Sequence, residues 1–344
     1  MTTIRDVAEK AGVSITTVSH VINDTRYVSD ELTERVYAAM RELNYRPNTL
    51  ARSLRSGHTK TIGLVIPDIS NMFFAEISRK IEDKGFEFDY SVILCNTDDN
   101  SAKEGAYINV LIEKQVDGII FISAGDDPQN QVKPMNFGIP IIIADRDIEG
   151  SNSDVVLVDN YQGGYDAVSY LISLGHKRIA CISGPSPVTP SAQRLKGYYQ
   201  ALEDVGISIE NYYIEAGDFR YESGETAMRE LLKIGNPPTA VFACNDMMAL
   251  GAMRAVYNHG MNIPGDISII GFDNIPISKS VYPALTTVAQ PIKEMADMIV
   301  EILLERMNQQ RQRRRTDEEF SPFRRYVLQT ELIERGTCKS LNDR

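Results

Sequence analysis

Ten side chains spread from Asn71 to Gln290 have the makings of one polar ring, because each stands at or just beyond the carboxyl end of a short apolar run. TIGLVIP is followed by Asn71, Phe73 and Phe74, and IPIIIAD ends in Asp145 with Arg146 next to it. Arg194 lies beyond RIACISG, and Phe219 precedes the next helical pattern. TAVFACND ends in Asn245 and Asp246, DISIIGFD in Asp273, and the stretch LTTVAQ supplies Gln290. Three aromatic faces with planar amides, carboxylates and guanidiniums are the groups that hold a sugar. Its C–H faces stack on aromatic rings, while each hydroxyl donates to a carboxylate and accepts from Arg or Asn. Taken singly, each residue has a plainer reading. Phe73 and Phe74 read as core, Asp145 and Arg146 as a solvated pair, and Asn245 as a helix cap. Their joint placement at strand ends favours the ring.

The elements that must position this ring follow from the same runs. TIGLVIP, YSVILCN, DGIIFIS, IPIIIAD, DVVLVDN, RIACISG, TAVFACND and DISIIGF alternate with helical patterns. Such runs predict strands buried on both faces of parallel sheets, with helices on each side. There are too many for one small sheet. A break near Gly163 and Gly164 divides them into two doubly wound halves, and the chain crosses back around LTTVAQP. Ligands of such sheets bind at the carboxyl ends of the strands, here in the cleft between the halves.

The first sixty residues follow a different rule. Ile4, Val7, Ala8 and Ala11 share one face of a short helix, which Thr3 caps with Asp6 in its first turn. Gly12 breaks the period, and Ser14 caps a second helix predicted to turn Ile15, Val18 and Ile22 inward. A third helix starts near Ser29, with Leu32, Val36, Ala39 and Leu43 facing the other two. Helix, glycine turn and helix make a helix-turn-helix. The outer face of its second helix shows Thr16, Thr17 and His20, short hydrogen-bonding groups suited to base edges in a major groove. A three-helix packing module with a merely solvated polar face is the alternative. After Pro47, the segment NTLARSLRSG is too short to hold a helix alone. With Leu50 and Leu54 beside Arg52 and Arg55, it is suited to pair with its own copy and drive an apolar wedge into a minor groove. A solvated linker is the plainer reading of the same residues.

Charge is distributed accordingly. The chain of 344 residues carries a net charge of −11, yet residues 1–60 hold nine Lys/Arg against seven Asp/Glu, leaving 27 against 40 for the rest. Contacts to DNA phosphates are therefore expected only from the N-terminal segment. The run QRQRRR ending at Arg315, followed by Asp317 to Glu319, reads as a solvated loop before a last strand, RYVLQTEL, rather than as a nucleic-acid patch. Cys95, Cys181, Cys244 and Cys338 stand far apart, so neither a disulfide framework nor a zinc site is expected. There is no G-x-G-x-x-G after a strand and no phosphate loop, which counts against a nucleotide-using enzyme. A transport-binding protein fits the body but would need a secretory leader, and neither that nor a membrane span is apparent. A cytoplasmic location is the expectation.

The string TIRDVAEKAGVSITTVSHVIN, followed by NYRPNTLARSLRSG and TIGLVIP, closely resembles the start of lactose-repressor-type (LacI/GalR) regulators, and the likeness runs through essentially the whole chain. It implies a DNA-binding head at 1–46, a hinge helix at 47–58 and a core at 59–344 like that of periplasmic binding proteins. The first half of that core would be about 60–160 and 290–322, the second about 161–288 and 323–340. By the resemblance Thr16, Thr17, His20 and Arg26 meet operator bases, and Leu54 is the minor-groove wedge with Arg55 beside it. Ile15 departs from the polar residue common at its place. The cleft residues match those of ribose repressors position for position: Phe73, Phe74 and Phe219 would sandwich the ring, and Asn71, Asp145, Arg146, Arg194, Asn245, Asp273 and Gln290 would bind its hydroxyls. Purine-binding relatives would share Arg194, Phe219 and Asp273 but carry other groups at Asp145 and Arg146. The implied protein is a homodimeric repressor without metal or cofactor, released from double-stranded operator DNA by D-ribose or a related sugar.

Overall fold

The computed structural model describes residues 2–23, 25–46, 58–122, 138–148, 151–185, 189–313 and 321–341. The predicted hinge helix at 47–58, with Leu54 and Arg55, falls outside these residues except for His58, as does the end of the basic run from Arg314 on. The chain divides into two compact units, residues 1–59 and 60–344.

The first unit contains helices α1 (Ile4–Ala11), α2 (Ile15–Asn23) and α3 (Asp30–Glu42). A reciprocal capping box between Thr3 and Asp6 starts α1. Gly12 ends it at φ 63°, a left-handed conformation that a side chain would strain. A Cβ there would also lie 2.7 Å from Nη2 of Arg35, which donates to the Ala11 carbonyl at 2.7 Å and so ties α3 to the turn. Val7, Ala8, Ala11, Val18, Val21, Val36 and Ala39 form the small core. Ile15 differs from the expectation. It is 42% exposed, and Val21 takes the inward place. Residues 15, 18 and 22 fit a helical face on spacing alone, but the position just after the Ser14 cap is rotated away from α1 and α3.

The second unit is built of two six-stranded sheets. The first has the order β11-β5-β4-β3-β1-β2, from β1 (Thr61–Ile66), β2 (Ser91–Asn96), β3 (Gly118–Phe121), β4 (Ile141–Ala144), β5 (Asp154–Val158) and β11 (Arg325–Leu328). The second has the order β12-β10-β9-β8-β6-β7, from β6 (Ile179–Ser183), β7 (Ile214–Ala216), β8 (Ala240–Ala243), β9 (Ser268–Asp273), β10 (Thr286–Ala289) and β12 (Glu331–Ile333). Among the described residues all strand pairs are parallel except β10 with β12. Each half reverses its strand order beside its first strand, the doubly wound switch at which ligands collect. The helices between strands are α4 (Met72–Glu87), α5 (Ser101–Glu113), α6 (Asn160–Ser173), α7 (Thr189–Asp204), α8 (Tyr221–Lys233), α9 (Asp246–Asn258) and α10 (Ile292–Arg313).

Four features correct the sequence reading. The start of QRQRRR, Gln310 to Arg313, is the end of α10 and not a loop. RYVLQTEL is two strands, not one: β11 extends the first sheet beside β5, and β12 the second beside β10, so the last crossing falls at Gln329 and Thr330 rather than at residue 322. Residues 323–328 therefore belong to the first half, and nothing in an alternating apolar run announces the switch. The division between the halves does fall near Gly163 and Gly164, between β5 and β6, but the two glycines do not interrupt the local structure: they lie on the buried inner face of α6, where a Cβ on Gly164 would overlap the Arg194 backbone of α7. YSVILCN forms an edge strand with Leu94 43% exposed, not one covered on both faces.

A second close crossing joins α8 and α9. A Cβ on Gly251 would overlap the Tyr221 carbonyl, and one on Gly224 the Met248 carbonyl. Backbone cannot yield there as a side chain would. Gly251→Ala is expected to destabilise the second unit by about 1–3 kcal/mol, read as a lower urea midpoint with unchanged slope.

Candidate functional site

The ten residues of the predicted ring line a single cavity of about 30 Å³ between the two halves, joined by Pro190 at the start of α7. Their backbone origins explain the convergence. Asn71 caps α4, its Oδ1 accepting from the Phe73 amide at 3.0 Å, which fixes the turn that carries Phe73 and Phe74. The two phenyl rings meet edge to face with centroids 5.2 Å apart. Asn245 caps α9 through Oδ1 to the Met248 amide at 2.9 Å, and its Nδ2 donates to the Phe219 carbonyl at 2.9 Å. The plainer reading of Asn245 as a cap thus holds together with its place in the cavity, and its second amide hydrogen stays available. Three non-glycine residues of the ring adopt positive φ: Asp145 at 62°, Phe219 at 68° and Asp273 at 114°. Left-handed backbone costs energy for such residues and tends to collect at functional sites.

Arg194 is the most constrained member. Its guanidinium lies 3.7 Å over the Phe272 ring, Nε donates to Asn160 Oδ1 at 2.8 Å, and Nη1 donates to the Cys244 carbonyl at 2.6 Å. Nη1 also stands 3.6 Å from Asp273 Oδ1. Asp273 in turn accepts from Gln290 Nε2 at 2.7 Å, while Gln290 Oε1 is buried without a hydrogen-bond partner. Arg146 lies 4.0 Å from Asp145 and 3.6 Å from Asp99, with its guanidinium 5.9 Å from the Phe74 ring centroid. Because Asp145 and Arg146 are both buried, the solvated-pair reading does not apply to them.

Burial raises the Asp145 carboxyl above its ordinary range, against the pull of Arg146 and Arg194. Burial pushes Asp273 up to about 7, with Arg194 and the Gln290 bond opposing it. Behind it, Asp246 is raised well above the usual range by burial and by the Asp273 charge, although Thr287 Oγ1 donates to it at 2.5 Å and the Ile275 amide at 2.9 Å.

Four supporting residues escaped the sequence reading. Asn160, the first residue of α6, orients Arg194, and Phe272 supplies its platform. Pro190 completes the wall, and Gly184 leaves room for the Phe219 ring, which a Cβ there would overlap. Asn160 had a signal, a polar residue just past DVVLVD. Phe272, Gly184 and Pro190 read only as core and turn.

In the first unit, Thr16 and Arg26 are exposed on the outer side of the helix-turn-helix. The Thr17 amide donates to Ser14 Oγ at 3.0 Å and its hydroxyl lies 2.9 Å from the same atom, so the capping serine orients it. His20 Nδ1 is hydrogen-bonded to Thr25 Oγ1 at 2.8 Å, which fixes its ring on the helix.

Two family models match this chain. Residues 3–48 match "Bacterial regulatory proteins, lacI family", and residues 59–327 match "Periplasmic binding proteins and sugar binding domain of LacI family". The chain belongs to the LacI family. This LacI-family regulator is 40% identical over 310 residues to the ribose operon repressor of Escherichia coli K12, covering 90% of this chain and 94% of that protein. It is 38% identical over 343 residues to the HTH-type transcriptional repressor PurR of Photobacterium profundum, covering 99% and 100%. Among solved structures, the lac repressor dimer bound to operator and the anti-inducer ONPF superposes with a TM-score of 0.84 at 28% identity, covering 98% of this chain and 99% of that one. The protein is therefore an HTH-type transcription regulator of LacI type and not an enzyme. No helix among the described residues is long and apolar enough to cross a membrane.

Proposed function

We propose that this regulator is a homodimeric, cytoplasmic repressor of sugar-utilisation genes, released from its operator when a pentose such as D-ribose enters the cleft. The observation that carries the reading is the composition of the single cavity. Phe73, Phe74 and Phe219 offer ring faces, Asp145 and Asp273 accept, Arg146 and Arg194 donate, and the unpartnered Gln290 Oε1 is one further buried acceptor. A buried acceptor without a donor is costly, and a sugar hydroxyl relieves it. The 40% identity to a ribose operon repressor supports the same ligand. The relative named PurR favours a purine as the second reading. Against it stand Asp145 and Arg146, whose charged groups match hydroxyls better than a flat heterocycle.

Calorimetry with D-ribose, 2-deoxy-D-ribose and a purine base separates the two. Ribose should bind, and its deoxy analogue at least about tenfold more weakly, because a group built to meet the missing hydroxyl is left unpaired at about 1–3 kcal/mol. Tight purine binding with no ribose binding at millimolar concentration would overturn the sugar assignment.

The raised Asp273 carboxyl gives this binding a pH dependence. Hydroxyls donating to Asp273 favour its anion, so ligand binding lowers a pKa that stands at about 7 and expels a proton. Ribose affinity should fall as pH drops through about 7, approaching but not exceeding about tenfold per pH unit for one group. A dissociation constant unchanged between mildly alkaline and mildly acidic buffer would show that Asp273 does not receive the ligand.

A further inference from the structure

The cavity opens outward into a chamber of about 500 Å³ that shares Asn71, Phe74, Arg146 and Phe219 with it. Five carboxylates line this chamber, those of Asp68, Asp98, Asp99, Asp218 and Glu222, against the guanidiniums of Arg146 and Arg220. Both cations are already matched: Arg146 Nη1 is 3.6 Å from Asp99 Oδ1, and Arg220 Nη2 is 3.6 Å from Asp68 Oδ2. Asp98 is paired with Lys103. The surplus negative charge is that of Asp218 and Glu222. Its location has a second meaning, because the N-terminus of α8 opens on the chamber and a helix N-terminus ordinarily attracts phosphate. Here Asp218 Oδ1 accepts from the Arg220 amide at 2.9 Å, and Glu222 stands in the first turn. The chain's own carboxylates answer the helix dipole.

We propose that the cleft takes its sugar unphosphorylated, the carboxylates of the outer chamber repelling a phosphate ester that the inner ring would otherwise admit by its sugar end. Such a regulator reads the sugar before the phosphoryl-transfer reaction that would consume it. A sugar phosphate carries about −1.5 to −2 charge at neutral pH, and every chamber guanidinium it would need is held by a carboxylate. The inference rests on the sugar reading of the inner ring.

The test compares D-ribose, D-ribose 5-phosphate and a purine base by calorimetry, on the full-length wild type and on the double variant Asp218→Asn/Glu222→Gln. Asparagine keeps the acceptor that bonds the Arg220 amide, and both positions are exposed, so the fold is preserved. In the wild type the ester should bind at least about tenfold more weakly than ribose, and the gap should narrow as salt screens the chamber. In the double variant it should narrow several-fold at low salt, with ribose affinity within about twofold of wild type. An ester that binds the wild type as tightly as ribose overturns the inference while the sugar reading survives. A gap that neither salt nor charge removal alters overturns its electrostatic cause. Binding of a purine base with neither sugar bound overturns the reading beneath it, and the three results are distinguishable in one titration series.

Discussion

Arg194→Ala is expected to leave a repressor that binds operator and does not let go in ribose, with sugar affinity reduced at least about 100-fold. The wild-type side chain is held on four sides, by Asn160, the Cys244 carbonyl, Phe272 and Asp273. It therefore meets a ligand without first losing side-chain freedom, and pre-organisation of this kind strengthens binding. Its removal takes away a charged donor, worth more than an ordinary hydrogen bond, and leaves the buried carboxylate of Asp273 without its nearest cation. A 100-fold loss corresponds to about 2.7 kcal/mol, within the range for one charge-assisted bond plus the unpaired group it leaves behind. Destabilisation and loss of ligand binding must be told apart. Operator affinity in the absence of sugar serves as the folding control, and Arg194→Lys, which keeps the charge but not the fork, should recover part of the binding but not the stacking on Phe272. Sensing by a sugar and its operator are linked, so ligand and DNA must alter each other's affinity by one factor. An Arg194→Ala protein released by ribose at the wild-type concentration would place the pocket elsewhere.

The cleft was legible because parallel strands bring their carboxyl ends to one edge. Once TIGLVIP, IPIIIAD, TAVFACND and DISIIGF are read as neighbours, whatever follows them must converge, and the polar residues there stand out against apolar runs. What stayed hidden lies where local pattern and tertiary role part. Phe272 belongs to a buried strand by every local sign, yet one face carries the Arg194 guanidinium. Gly163 and Gly164 mark the passage between the halves, yet the fold also uses their missing side chains: Gly164 lets α6 lie against α7 at Arg194, and Gly163 leaves room for Phe272 and Thr330. The division of RYVLQTEL between two sheets is set by which strand edge lies open at the end of each half, information that an eight-residue window does not hold. In the helix-turn-helix, Ile15 sits one position after its cap, where a few degrees of rotation decide between core and solvent. Its 42% exposure leaves an apolar group on the surface next to Thr16, in keeping with a thymine methyl as its neighbour in a major groove.

The same separation of heads and core governs the second large effect, on DNA. Leu54→Ala is expected to weaken specific operator binding about 100-fold while binding to nonspecific DNA stays within about twofold. The segment NTLARSLRSG is too short to hold a helix alone, since fewer than about 12 residues do not sustain one in water. The expectation from the sequence is that docking orders it, with Leu50 and Leu54, spaced i and i+4, as the apolar seam between two copies. A leucine driven between base steps unstacks them at a cost of a few kcal/mol, which the wider protein contact on kinked DNA offsets. Alanine is too short to hold the step open, so the specific complex loses that contact. Nonspecific binding comes from phosphates met by lysine and arginine, and these remain in the variant. Two heads joined through such a seam read two half-sites related by a two-fold axis, so the operator should be near-palindromic. Footprinting should show both half-sites protected by the wild type, with protection fading together in Leu54→Ala. Protection of one asymmetric half-site, or a Leu54→Ala protein that keeps full operator affinity, would rule out the paired wedge and leave the helix-turn-helix as the sole source of specificity.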